Sequence, residues 1–217
     1  MKTTSNSPNH SPFVDDTLIP DRFAKTFPKI QQWDSTVINK LYFKTNTTKV
    51  GKMARMVSFL GDPRLWIGIL PILGVIGLVQ MDFTYFVIFS TGFFQSMLTY
   101  YLLKFYFRRN RPFKVFPEIL RLDKTGHGYG FPSGHCHHST ILMGLMWLNF
   151  FPNPWFLIPL LVYNGSIALS RMVSGCHFPS DTIVGIIFAY LELTFYWLVT
   201  KILYLGIYES LFRMLMA

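Results

Sequence analysis

The chain has 217 residues, of which 51% are hydrophobic and 18% aromatic, while only 14% are charged. Its apolar residues form long uncharged runs, which excludes an ordinary soluble domain and predicts an integral membrane protein. The net charge of +9 does not indicate binding to nucleic acid, because the basic residues lie near the N-terminus and in loops beside apolar runs. Lipid headgroups or phosphate esters are therefore the expected partners.

The N-terminal region precedes any apolar run long enough to cross a membrane. Residues 1–32 are rich in Ser, Asn, Pro, Thr and Asp, which predicts a flexible polar tail. Over 33–62, apolar residues recur among lysines at helical spacing, which predicts amphipathic helices. Such helices either lie on the membrane surface or pack against the protein's own loops, and the sequence leaves both open.

Residues 63–217 form the predicted transmembrane domain, and residues 201–217 either extend its last helix or lie along the surface. We predict an all-α integral membrane bundle of about five transmembrane helices, plus N-terminal interfacial amphipathic helices. The predicted crossings are 65–81, 84–103, 134–151, 155–169 and 182–200.

This topology brings three polar regions to one membrane face. The second crossing ends, and the third begins, on the same side, because the loop 104–134 joins them. The fourth crossing returns to that side, so the loop 170–181 lies there as well. Residues from three separate parts of the chain are therefore expected to meet.

The first polar region contains Lys104 and Arg111, which are seven residues apart. Two helical turns separate them, so both side chains can face the same way. Arg108 and Arg109 lie at the end of the second crossing, where a cation is usually an anchor that reaches the membrane surface. We assign that role to both.

The second polar region is the stretch 130–138, where Gly, Pro, Ser and three His residues precede an apolar run. This pattern predicts a helix N-terminus with Ser133 near the cap, and the unpaired N–H groups of such a terminus attract phosphate. His135 would exchange a proton beside that anion. The alternative is a capped helix whose histidines lie at the membrane surface.

The third polar region contains Arg171, His177 and Asp181, with Pro179 suited to the first turn of a helix. A carboxylate close to an imidazole can fix its tautomer and raise its basicity. Arg171 adds a planar set of donors suited to phosphate. The alternative for this region is a loop ion pair.

Taken together, Lys104-x6-Arg111-Pro112, Pro132-Ser133-Gly134-His135 and Ser170-Arg171-x5-His177-x3-Asp181 resemble the three signature motifs of the type 2 phosphatidic acid phosphatase superfamily. Every signature position matches in order and spacing, across residues 104–181. The resemblance implies a membrane lipid phosphatase that uses a phosphohistidine intermediate and needs neither metal nor cofactor. Its substrate would be a lipid phosphomonoester or diphosphate.

The resemblance also implies a role for each matched residue. His177 would attack phosphorus, Asp181 would orient its imidazole, and His135 would protonate the leaving alkoxide. The phosphoryl oxygens would be held by five residues. These are Lys104, Arg111, Ser133, Gly134 and Arg171.

Several alternatives stay open at this stage. The same motifs suit a lipid phosphotransferase, and a basic membrane face also suits a transporter that binds an anion without reacting. The positive-inside tendency places the site in the cytoplasm, whereas the resemblance implies the outer or periplasmic face of the inner membrane of a bacterium.

Glu192 lies inside the last crossing, either lining a cavity below the site or buried against Asn164 or a tyrosine. Cys136 and Cys176 are too few for a disulfide framework.

Overall fold

The structure is a computed structural model that describes residues 21–45, 48–122 and 128–216, and over these ranges it is helical without a strand. Two short segments interrupt or extend the α-helices, a 3₁₀ turn at Pro154–Phe156 and a π-helical segment at Tyr196–Thr200. The α-helices are α1 (Arg22–Thr26), α2 (Pro28–Thr45), α3 (Thr48–Leu60), α4 (Pro63–Gln80), α5 (Thr84–Phe107), α6 (Pro112–Val115), α7 (Gly134–Phe150), α8 (Leu157–Val173), α9 (Pro179–Phe195) and α10 (Lys201–Met216).

Four stretches of the described residues are long and apolar enough to cross a membrane. A fifth helix, α7, has 17 residues and packs between α5 and α9. At 1.5 Å per residue its length is roughly 26 Å, close to the thickness of a hydrocarbon core. The predicted all-α membrane bundle is confirmed. The four stretches are Lys49–Gln80, Thr84–Val115, Pro154–Val173 and Pro179–Phe212.

The helix ends follow local sequence signals. Ser133 is the N-cap of α7, as its position before the apolar run predicts. Asn153 caps the turn after α7 by accepting a hydrogen bond from the Trp155 N–H at 3.0 Å. Pro179 occupies the first turn of α9. The helix α9 then continues through the π-helical segment into α10, so residues after 200 extend the last crossing.

The core of the bundle lies where α4, α5, α7 and α9 meet. Its largest member, Trp66, is fully buried and its Nε1–H donates to the Phe89 carbonyl oxygen at 3.1 Å. Gly144 lets α7 approach α9 closely, because a Cβ atom at this position would overlap the Leu193 side chain. The members of this cluster are Trp66, Leu73, Ile88, Phe89, Ile141, Leu142, Leu145, Ala189, Leu193 and Tyr196.

The N-terminal segment differs from the predicted tail. Residues 1–20 lie outside the described residues, but residues 22–26 form α1 and α2 begins at Pro28. Phe23 of α1 is buried, so this segment packs against the bundle. The polar composition had predicted a flexible tail here. Phe23 and Phe27 are four residues apart, but two apolar rings among polar neighbours give too short a periodic signal to predict such a contact.

The helices α2 and α3 place one face on the protein itself. Ile38 and Tyr42 of α2 are buried in a cluster with Ile119 and Phe178. The helix α3 packs along α8 and leads into α4 at Gly61. For this face of α2 the described residues favour packing against the protein, whereas the predicted apolar residues Met53, Met56 and Leu60 of α3 are exposed and the protein does not cover them.

We predict that replacing Gly144 by Leu destabilises the bundle, because the new side chain must enter the space of Leu193. Overpacking of this kind costs roughly 1–3 kcal/mol. The matched control is Gly165→Leu in α8, where no atom lies within 4 Å of an added Cβ. Thermal unfolding in detergent should show a lower midpoint for Gly144→Leu alone, and equal midpoints would contradict this packing.

Candidate active site

One pocket of about 280 Å³ opens where α5 and α8 end and α4, α7 and α9 begin. Six of the eight residues singled out in the sequence line it, although they come from three separate parts of the chain. The structure therefore brings these three regions together at one end of the helix bundle. These six are Lys104, Arg111, Gly134, His135, Arg171 and His177.

The imidazole of His177 is buried at the inner wall of this pocket. An Nη1–H of Arg111 donates to its Nε2 at 3.0 Å, and the same Nη1 donates to the Cys176 carbonyl oxygen at 2.9 Å. A guanidinium can only donate, so Nε2 is the acceptor and the neutral imidazole carries its proton on Nδ1. In this tautomer Nε2 keeps the lone pair that a nucleophile needs, and this lone pair accepts the hydrogen bond from Arg111, which also lines the pocket.

Asp181 lies behind His177 and does not line the pocket. Its Oδ2 is 3.5 Å from Nδ1 of His177 and accepts a hydrogen bond from the Phe178 N–H at 2.9 Å. The local sequence explains this placement, because Pro179 starts α9 and puts Asp181 in the first turn, four residues after His177. The carboxylate can therefore stabilise an Nδ1–H, and it can stabilise positive charge on the ring.

Burial lowers the pKa of His177 well below its ordinary value, and the cations Arg111, Arg171 and Lys104 and the nearby His135 lower it further. These groups face the imidazole from α5, α7, α8 and the segment before α6. Each of them penalises the imidazolium ion. The neutral, nucleophilic form of His177 therefore persists below the pH at which an ordinary histidine is protonated.

The N-terminus of α7 supplies one wall of the pocket. Gly134 lets Tyr100 lie close to this helix start, because a Cβ atom there would lie 2.9–3.1 Å from the end of the Tyr100 side chain and would push it aside. His135 is the next residue and is 9% exposed. Unpaired N–H groups in the first turn of a helix favour an anion. Ser133 is fully buried outside the lining, and its N–H donates to the Asp181 carbonyl oxygen at 2.9 Å, so its role as a phosphate ligand stays a prediction.

Lys104 and Arg171 make the pocket cationic. The ammonium group of Lys104 donates to the Tyr100 hydroxyl. The Nη1 of Arg171 donates to the Ser58 hydroxyl of α3 at 2.5 Å. With Arg111, three cations thus surround the His177 ring, and this charge suits a phosphoryl group far better than a metal ion.

The prediction that Arg109 is an anchor at the membrane surface is wrong. It was assigned to the membrane surface, but its side chain is fully buried and forms ion pairs with Asp181 and with Asp34 of α2. The left-handed backbone of Arg108, with φ of 45°, ends α5 and precedes the inward turn of Arg109. Sequence reasoning also missed Asp34, because an acid in an amphipathic helix looks like part of its solvent face.

Three further lining residues, Asp62, Pro63 and Arg64, come from the start of α4. Asp62 is its N-cap and accepts hydrogen bonds from the Arg64 side chain at the mouth of the pocket. The sequence Asp62-Pro63-Arg64 after a glycine predicts a helix start. These residues lie about 40 positions before Lys104, so the sequence gives no indication that they reach the pocket.

The remaining histidines of the second motif are both buried. His138 Nδ1 lies 3.0 Å from the Ser96 hydroxyl. His137 Nε2 lies 3.0 Å from Glu192 Oε2, so the acid inside the last crossing lies against a histidine rather than Asn164 or a tyrosine. Glu192 also lines a separate lateral cavity of about 570 Å³ between α5 and α9. Cys136 and Cys176 are buried free thiols.

Comparison with known structures shows the same fold. The chain aligns with Aquifex aeolicus LpxE at a TM-score of 0.56 and 18% identity, covering 79% of this chain and 93% of that one. It also aligns with the first transmembrane PAP2 type phosphatidylglycerolphosphate phosphatase from Bacillus subtilis. That alignment has a TM-score of 0.63 and 18% identity, and it covers 87% of this chain and 91% of the other.

Comparison by sequence identifies the family. The decaprenylphosphoryl-5-phosphoribose phosphatase of Mycobacterium tuberculosis is 33% identical over 136 residues, which are 61% of this chain and 71% of that protein. The model of the PAP2 superfamily matches residues 84–204, more than half of the chain and the whole of the pocket apart from the start of α4. This chain therefore belongs to the PAP2 superfamily, as a membrane hydrolase of phosphoric esters.

Proposed function

We propose that this protein hydrolyses a lipid phosphomonoester or diphosphate at the membrane interface through a phosphohistidine on His177. The observation that carries the proposal is the environment of His177, whose Nε2 accepts a hydrogen bond from Arg111 at a cationic pocket while Asp181 lies behind Nδ1. A nucleophile, its orienting acid and phosphate-binding cations are the groups that this reaction needs.

In the first step, Nε2 of His177 attacks phosphorus and the bond from phosphorus to the leaving oxygen breaks. The products are a phosphohistidine and the leaving oxygen, which is an alkoxide from a phosphomonoester or a lipid phosphate from a diphosphate, and protonated His135 at the pocket wall gives this oxygen a proton. Arg111 must turn away from Nε2 before the attack. It then donates to an oxygen of the incoming phosphate, and this charged acceptor forms a stronger hydrogen bond than the neutral imidazole. Arg171 and Lys104 offset the charge that builds on the phosphoryl oxygens.

In the second step, water attacks the phosphorus of the phosphohistidine and the N–P bond breaks. His135, left neutral by the first step, accepts a proton from this water. Inorganic phosphate leaves, and Nε2 recovers its lone pair. Throughout, Asp181 stabilises the positive charge that the ring carries while it is bonded to phosphorus.

A lipid substrate is supported by the apolar side of the pocket. Met97 and Tyr101 of α5 belong to the lining, and their neighbours Leu98 and Leu102 are exposed on the outer surface of the bundle. A chain leaving the pocket along this side would enter the hydrocarbon region. The M. tuberculosis relative is named for decaprenylphosphoryl-5-phosphoribose, so a phosphomonoester carried by a prenyl lipid belongs among the substrates to test.

The first prediction concerns the nucleophile. Replacing His177 by Ala should reduce phosphate release by roughly 10⁴–10⁶-fold, because the covalent route is lost. The measurement is release of inorganic phosphate in detergent from a panel of phosphatidic acid, phosphatidylglycerol phosphate, prenyl diphosphate and a prenyl-linked sugar phosphate. Turnover that survives in His177→Ala would overturn the mechanism. Transfer of phosphate to a second lipid, without release, would identify a phosphotransferase.

The second prediction concerns one phosphate-binding cation. Replacing Lys104 by Met keeps the length of the side chain and removes its charge, so kcat/KM should fall roughly 10²–10³-fold, as for loss of an oxyanion donor. Lys201→Met is the matched control, since that lysine lies over the Trp197 ring in the last crossing, away from the pocket. Equal losses in both variants would argue against a role for Lys104 in binding phosphate.

The third prediction concerns pH. Because burial and the nearby cations hold the pKa of His177 below its ordinary value, kcat/KM should stay high as the pH falls through 6.5 and decline at lower pH. In Lys104→Met one of these cations is gone, so the acidic limb should move to higher pH. The ionisation of the substrate is the same for both proteins, so it cannot cause a difference between their profiles. An acidic limb at the same pH in both proteins would contradict its assignment to His177.

A further inference from the structure

Arg109 joins two carboxylates in the interior of the protein. Its Nη1 lies 2.5 Å from Oδ1 of Asp181, and its Nη2 lies 2.5 Å from Oδ2 of Asp34. All three side chains are fully buried. The guanidinium is held between the rings of Phe23 and Phe178, whose centroids lie 4.0 and 4.3 Å from its Cζ. Such a group cannot move without breaking contacts on both faces.

Asp34 also reaches the turn that carries Asp181. Its Oδ1 accepts the Ser180 N–H at 2.9 Å, and its Oδ2 accepts the Ser180 hydroxyl at 2.5 Å. Gln31, one turn earlier in α2, accepts two hydrogen bonds from Arg109 at 2.7 and 3.2 Å. The helix α2 therefore fixes both the guanidinium and the first turn of α9.

The charges of this cluster bear on His177. Arg109 and Asp181 alone would form a neutral pair, and a neutral pair offers little to an imidazole that becomes cationic. With Asp34 ionised as well, one cation is shared by two anions and the cluster carries a net charge of −1. Arg111, Arg171 and Lys104 oppose positive charge on the ring from the pocket side, so this negative charge lies where it is needed.

We propose that Asp34 is a positioning residue of the active centre, which acts through Arg109 to hold Asp181 in place and to keep the cluster behind His177 negative. This inference rests on the proposed function, in which His177 is the nucleophile. It assigns to α2, predicted as an interfacial helix, a part in the chemical step. Asp34 itself is not among the described residues that line the pocket.

The test begins with Asp34→Asn, which keeps the shape of the side chain and an oxygen for the Ser180 N–H but removes the charge. We expect kcat to fall roughly 10–100-fold, by analogy with the loss of a residue that hydrogen-bonds to a metal ligand. KM should change less than about twofold. The matched control is Asp21→Asn. Asp21 also ties the N-terminal segment to the site region, through the Asn110 N–H at 2.9 Å, whereas the ion pairs of Arg109 are with Asp34 and Asp181.

A second variant restores the charge at a different position. In Gln31→Glu combined with Asp34→Asn, the new carboxylate takes the place of an amide oxygen that already lies 2.7 Å from Nη2 of Arg109. We expect this double variant to recover most of the lost kcat. It also keeps the test valid if Asp34→Asn alone does not fold, because its buried charge is balanced as in the natural chain.

The outcomes are distinct. A fall in kcat that occurs in Asp34→Asn, is absent in Asp21→Asn and is reversed by Gln31→Glu supports the proposal. Unchanged kcat in Asp34→Asn, equal losses in Asp34→Asn and Asp21→Asn, or a folded but inactive double variant overturns it. If His177→Ala is inactive in the same assay, the proposed function stands whichever result Asp34 gives. Turnover in His177→Ala would instead remove the proposed function and this inference with it.

Discussion

Opposed demands on the charge around His177 organise this structure. A phosphoryl group needs cations, and Lys104, Arg111 and Arg171 surround the ring. The same cations penalise an imidazole that must become positive when it bonds to phosphorus. The structure separates the two in space, with cations on the pocket side of the ring and carboxylates behind it. Much of the surrounding architecture serves to keep this separation.

That separation depends on elements far apart in the chain. The helix ends of α5, α7, α8 and α9 bring the pocket residues together, and close packing at glycines such as Gly144 and Gly134 allows the helices to approach. The N-terminal helices complete the arrangement. Tyr42 of α2 accepts a hydrogen bond from the Leu120 N–H at 2.8 Å, which ties the loop after α6 to the bundle. Ser58 of α3 holds Arg171 from the other side.

A large part of the site was predictable because its signals are local. The positions of the crossings follow from apolar runs, and the alternation of sides then requires loops 104–134 and 170–181 to meet. Pro179 and Asp181 share a first helical turn, so their proximity to His177 needs no tertiary information. Arg109 was misassigned because a cation at the end of an apolar run has the same sequence pattern whether it reaches the surface or turns inward. Its backbone path, set at Arg108, decides between the two.

The sequence by itself determined the membrane class, the approximate positions of the crossings and the polar regions that meet at one end of the bundle, since apolar runs and short-range motifs encode them. The tertiary structure alone decided which residues line the pocket and which lie behind it, placing Ser133 and Asp181 outside the lining. It also decided the tautomer of His177 and the pairing of Asp34 with Arg109, across 75 positions of sequence. Such long-range contacts leave no periodic or local trace, because a buried charge is defined by its partner and not by its neighbours in the chain.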